Sequence, residues 1–134
     1  MSEHKIPGHG SFCWNELATK DLAAAKRFYT ELLGWQFKES NATGTEAADY
    51  HEIVVGGEHV GGLHQMGPEF GDAPSHWMAY VHVEDVDDRA ARVESLGGKV
   101  CVPPTDIPTV GRFSVINDPS GATLSLIKLA GEGS

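Results

Sequence analysis

The sequence predicts an α+β protein built from two βαβββ modules. Three observations predict it: a strand–helix unit recurs in the two halves, period-two alternation surrounds each helix, and glycine- and proline-bearing turns punctuate the extended segments. Superposing Asp21 on Asp85 also places Leu22 on Val86, Tyr29 on Val93, Leu32 on Leu96 and Gly34 on Gly98. Each Asp can cap a helix start, and each Gly follows a helix end, where a left-handed residue is wanted.

The elements follow in order. Residues 12–18 read as a strand and 21–33 as a helix that turns Leu22, Ala25, Phe28, Tyr29 and Leu32 inward at helical spacing. Extended segments follow at 35–39, 50–55 and 59–66, with Gly56-Gly57-Glu58 as a turn. The Gly- and Pro-rich stretch 67–75 reads as a linker. The second half repeats the pattern. It has a strand at 76–83, a helix at 86–96 with Val86, Ala90, Val93 and Leu96 inward, and strands at 99–103, 112–117 and 122–129. Asp118-Pro119-Ser120-Gly121 forms its last turn. Residues 1–134 are thus one domain, with modules at about 9–66 and 76–129.

A hydrophobic content of 40% supports a core in a chain of 134 residues. The net charge of -9 disfavours nucleic acid and anionic membrane surfaces as partners. No apolar run approaches the roughly 20 residues of a membrane helix. The segment MSEHKIPGHG carries no apolar signal core, so a cytoplasmic location is expected. Cys13 and Cys101 fit no zinc spacing and read as thiols in or near the core.

The strand at 76–83 has two unlike faces. Trp77, Ala79, Val81 and Val83 form an apolar side that should lie under a helix. His76, Met78, Tyr80 and His82 form a polar and aromatic side that suits a half-buried cleft. In the first strand, Trp14 and Glu16 share a side with Phe12, while Cys13 and Leu17 go to the helix side with Asn15, which breaks the pattern mildly.

Several motifs resemble the vicinal-oxygen-chelate superfamily, the glyoxalase, bleomycin-resistance and dioxygenase type, and in particular its glyoxalase-related bacterial branch. They include Trp14-Asn15-Glu16-Leu17, Asp21, Phe28-Tyr29 and Leu32-Leu33-Gly34-Trp35. Later come His76-Trp77, Glu84-Asp85-Val86-Asp87, Leu96-Gly97-Gly98, the run from Pro103 to Pro108, Val110-Gly111-Arg112-Phe113 and Asp118-Pro119-Ser120-Gly121-Ala122. The resemblance implies curved mixed sheets enclosing a cleft, a small organic molecule as ligand, and a homodimer. It does not fix a reaction, because such a fold hosts isomerases, lyases, dioxygenases and metal-free drug binders.

The resemblance also implies metal-ligand positions on the first and last strand of each module. They fall here on Trp14, Met78, Ser125, and one of Gly62, Leu63 or His64. Trp and Met are poor ligands for a hard or borderline divalent ion, and Ser is rarely one. The expectation is therefore no firm metal cofactor and an apolar, aromatic ligand site formed by Trp14, Met78, Ser125 and Arg112. Glu16 is the candidate general acid or base and Tyr80 the candidate donor to a developing oxyanion. Arg112 is the candidate carboxylate or phosphate fork, or else a partner of loop carbonyls or Glu16. The alternative is a divalent-metal lyase, related to lactoylglutathione lyase, or a dioxygenase with ligands shifted to Glu16, His64, His76 and His82. A third reading is a non-catalytic protein whose cleft closes an oligomer interface. His4, His9 and His59 receive no role.

Overall fold

The computed structural model describes residues 8–39, 50–68, 71–107 and 110–130. His4, residues 69 and 70 of the expected linker, and Pro108 lie outside them. The described residues fall into two compact units, one within 14–78 and one combining 8–13 with 79–130. The dividing points lie inside the first strand of each module.

The first module runs β1 (Phe12–Thr19), α1 (Leu22–Leu33), β2 (Gln36–Glu39), β3 (Tyr50–Val55) and β4 (Glu58–Gln65). Its strands lie in the order β2-β3-β4-β1, with β1 parallel to β4 and the other pairs antiparallel. Asp21 caps α1 by accepting from the Ala24 N–H at 3.0 Å. Gly34 ends it in the left-handed conformation, φ 74°. Gly56 and Gly57 both have positive φ, which permits a two-residue hairpin turn between β3 and β4.

Leu17, Ile53 and Leu63 form this module's core, with Leu22, Ala25, Tyr29, Trp35 and Phe37 packed on it. Phe28 and Leu32, expected inward, stay exposed. The buried stripe of α1 is Leu22, Ala25 and Tyr29, and the other two residues lie around the helix from it. Trp77 is half exposed, yet it meets Tyr29 and Trp35 edge-on and donates to the Tyr29 hydroxyl at 3.3 Å.

The second module runs β5 (His76–His82), α2 (Val86–Val93), a 3₁₀ turn (Glu94–Leu96), β6 (Lys99–Ile107), β7 (Gly111–Asn117) and β8 (Thr123–Leu129). Its order is β5-β8-β7-β6, with β5 parallel to β8. That is the topology of the first module repeated. Asp85 caps α2 through the Asp88 N–H. Val81, Val83, Val86 and Leu126 make the core, and Ala90 and Val93 are buried as expected. Leu96 is exposed, against expectation.

Two further expectations change. The left-handed residue after α2 is Gly97, φ 96°, and not Gly98, because the 3₁₀ turn tightens the helix end. Strand β6 continues past Pro103 and Pro104 to Ile107. It is the outermost strand of its module and breaks register around the prolines, which is where a strand tolerates missing N–H donors. Neither cysteine forms a disulfide; Cys13 is partly buried, but Cys101 is exposed and not a core thiol. No helix among the described residues is long and apolar enough to cross a membrane.

Candidate functional site

Alternation along β1 sends Leu17 into the core beneath α1 and turns Trp14, Glu16 and Ala18 to the opposite face. Strand register then decides which residues join them. Glu16 stands beside Gly62 and Ala18 beside His64, while Tyr50 pairs with His64 from the other side. Of the three positions left open on β4, Leu63 is ruled out as a site residue: it is 1% exposed and belongs to the core.

On this face the Glu16 carboxylate lies 3.8 Å from His64 Nε2. Their side chains are 16% and 22% exposed, so both remain reachable from solvent. The Tyr50 ring lies nearly parallel to the His64 ring, 13° between planes and 6.2 Å between centroids. Trp14 Nε1–H donates to the Tyr50 hydroxyl at 3.3 Å. A Cβ on Gly62 would overlap that hydroxyl and lie 2.7 Å from Tyr50 Cζ. Sequence reasoning missed Tyr50. The signal that could have found it is a glycine pair inside a strand, which marks close approach of another group.

The second module brings Tyr80 into register with Ser125 across the parallel β5–β8 pair. Ser125 is fully buried, and its Oγ has no hydrogen-bond partner among the described residues. His82, two residues beyond Tyr80 on β5, is 3% exposed, and its Nδ1 also lacks a partner there. Met78 is partly buried, and His76 Nδ1 lies 2.8 Å from the Pro74 carbonyl.

Arg112 is corrected. Its Nε and Nη2 grip both oxygens of Asp87 in α2's first turn at 2.8 and 2.9 Å, and Nη1 reaches Asp106 at 2.9 Å. The strand register puts Arg112 on the same side as Ser114 and Ile116, the side of the helix core. The fork is therefore closed by two carboxylates and is not offered to a ligand. The guanidinium beside Asp87 holds that carboxyl below its usual range, chiefly through the hydrogen bond, and the pair raises the Arg112 value. Asp118 is likewise lowered, first by the Ser120 hydroxyl and then by turn N–H groups.

Side chains that could hold a divalent ion are few among the described residues. No group of three or more His, Cys, Asp or Glu side chains among the described residues is placed to hold one. Of the shifted set Glu16, His64, His76 and His82, the first module brings only Glu16 and His64 together. Trp14 offers only a donor N–H, and Gly62 has no side chain where Tyr50 already stands.

Comparison with known proteins agrees with the duplicated topology. The sequence model of the Glyoxalase/Bleomycin resistance protein/Dioxygenase superfamily matches residues 11–126. CFP32 of Mycobacterium bovis, named as a candidate glyoxylase, is 38% identical over 121 residues, 90% of this chain and 45% of that protein. The anthracycline biosynthesis protein DnrV of Streptomyces peucetius is 31% identical, across 87% of this chain and 46% of its own. The chain thus spans about half the length of the curated relatives it matches. Among solved structures, the Mn(II)-bound glyoxalase of Novosphingobium aromaticivorans superposes with a TM-score of 0.58 at 21% identity, covering 90% of this chain and 39% of that one. The methylmalonyl-CoA epimerase of Mycobacterium tuberculosis gives 0.58 at 17% identity, covering 96% and 95%. Repeated βαβββ modules and a family match along most of the sequence lead to one assignment: the chain belongs to the Glyoxalase/Bleomycin resistance protein/Dioxygenase superfamily.

Proposed function

We propose that the chain binds, and through Glu16 acts on, a flat oxygen-bearing organic molecule without using a divalent ion. The observation that supports this most is the Glu16–His64 couple, 3.8 Å apart on a sheet face that it shares with Trp14 and Tyr50. A carboxylate beside an imidazole can take up and return a proton. The aromatic rings beside it favour a planar ligand. The Streptomyces relatives are named for anthracycline biosynthesis, which is consistent with an oxygenated aromatic. Met78, in the same unit as Glu16, is proposed as a further apolar ligand contact. A cytoplasmic homodimer is the assembly we expect.

A metal-dependent lyase or dioxygenase is the second reading. It draws support from the manganese-bound glyoxalase neighbour and from the two donors that Glu16 and His64 supply. The two readings separate in one experiment. Chelator-treated protein is titrated with the anthraquinone alizarin, followed by quenching of tryptophan fluorescence. Saturable quenching that persists after chelation, and is lost in Trp14→Ala but kept in the surface variant Glu94→Ala, supports metal-free binding. Quenching that returns only with added Mn(II), at one ion per chain, overturns it.

A further inference from the structure

We propose that His59, held by Glu52, is a second binding point on the sheet face of the site, and that it accepts a hydroxyl at the end of the ligand far from Glu16. This rests on the site proposed above and adds the length and the second polar group of its ligand. The register of β4 against β3 carries the first observation. Ile53 pairs with Gly61, but the next residue, Val54, pairs with His59. Val60 is thus the extra residue of a β-bulge, and it stays exposed.

The bulge decides where His59 points. Strict alternation from Gly62 on the site face would send Val60 to that face and His59 to the core side. The extra residue turns His59 to the side of Val54, the side of Glu52 and Tyr50, which alternate with core residue Ile53. There His59 Nδ1 meets the Glu52 carboxylate. A carboxylate only accepts, so the ring proton lies on Nδ1. Nε2 lies at the other edge of the ring, and in the neutral imidazole it is an acceptor. The His59 side chain is 39% exposed and that of Glu52 22%, so a ligand can reach the pair.

Register also sets a span. Glu16 and Glu52 both stand beside Gly62, one on β1 and the other on β3. Two strand spacings separate them, about 10 Å. The Tyr50 hydroxyl lies between, filling the space over Gly62. The face thus carries two carboxylate–imidazole couples, Glu16–His64 and Glu52–His59. A rigid, flat ligand with a phenolic or alcoholic hydroxyl at each end can engage both at once. One with its hydroxyls crowded at one end can engage only one of them.

The test compares two isomeric anthraquinones by quenching of tryptophan fluorescence. Anthraflavic acid has one hydroxyl on each outer ring, and alizarin has both on the same ring. The wild type should bind anthraflavic acid about tenfold more tightly than alizarin, the worth of one further hydrogen bond. His59→Phe keeps a flat ring and removes the acceptor. It should erase that preference, with melting temperature and circular dichroism retained. Glu52→Ala frees the imidazole to turn and should remove part of the preference with His59 still in place. A wild type that binds the two isomers within about twofold of each other, or a folded His59→Phe that keeps the full preference, overturns this inference alone. Quenching by neither isomer overturns the proposed site together with it.

Discussion

Tyr80 stands in register with Ser125 across parallel β5 and β8, the same station that Glu16 holds against Gly62 across parallel β1 and β4. The two modules therefore repeat a strand pairing while filling it with different chemistry. In the first, a missing side chain admits a tyrosine; in the second, a hydroxyl is sealed in. The Ser125 Oγ is buried without a partner among the described residues, a state that costs about 1–3 kcal/mol of desolvation. Ser125→Ala should thus raise stability by about 1 kcal/mol in urea unfolding. A loss of that size instead would mean that an ordered water or a ligand satisfies the hydroxyl.

Arg112→Ala should lower the melting temperature, and the loss should depend on pH in a defined direction. Asp87 is ionised in the pair and its folded value lies below the ordinary 3.8. Its contribution is then fully present above that ordinary value and fades as pH falls through the lower folded one. The gap in melting temperature between wild type and Arg112→Ala should be constant near neutrality and close under strongly acidic conditions. Because the carboxylates are exposed, added salt should narrow it too. Alizarin binding should not change, since Arg112 faces the helix side.

Much of the fold was legible in the sequence because it is written in local rules. Asp21 and Asp85 announce their helices by capping, and Gly56-Gly57 announces a hairpin by its need for positive φ. Glu16 and His64 were both singled out, but their pairing depends on parallel β1–β4 register, which alternation alone does not supply. Tyr50 escaped because its place on this face depends on a glycine twelve residues later in the chain. Arg112 was misplaced for a related reason. Alternation sorts Arg112, Ser114 and Ile116 from Phe113 and Val115, yet it does not say which set lies under the helix.

Leu63→Ala tests the decision that β4 turns Leu63 to the core and Gly62 and His64 to the site. Leu63 is 1% exposed and packs with Leu17 and Ile53. Truncation should cost about 2–5 kcal/mol in urea or thermal unfolding. A cost below about 1 kcal/mol would mean that the strand faces are the reverse of those described.

Gly97 and Gly98 are adjacent and should fail for different reasons. Gly97 needs the left-handed backbone, φ 96°, and a Cβ there would meet Pro119 at an ordinary 3.4 Å. Its substitution by Ala should cost about 1–2 kcal/mol of backbone strain, and Asn, which tolerates that conformation, should cost less. Gly98 has no such backbone requirement. A Cβ there would run into the Asn117 carbonyl on β7 and come within 2.9 Å of Val93 Cγ1. The backbone of β7 cannot yield as a flexible side chain would, because Asn117 is paired with Lys99 and Thr123. Gly98→Ala should therefore cost more than Gly97→Ala, about 3 kcal/mol by the overpacking scale, and Asn at 98 should be worse than Ala. Denaturant unfolding of the four variants orders them. Asn rescuing position 98 as it rescues 97 would show that conformation, not crowding, governs both.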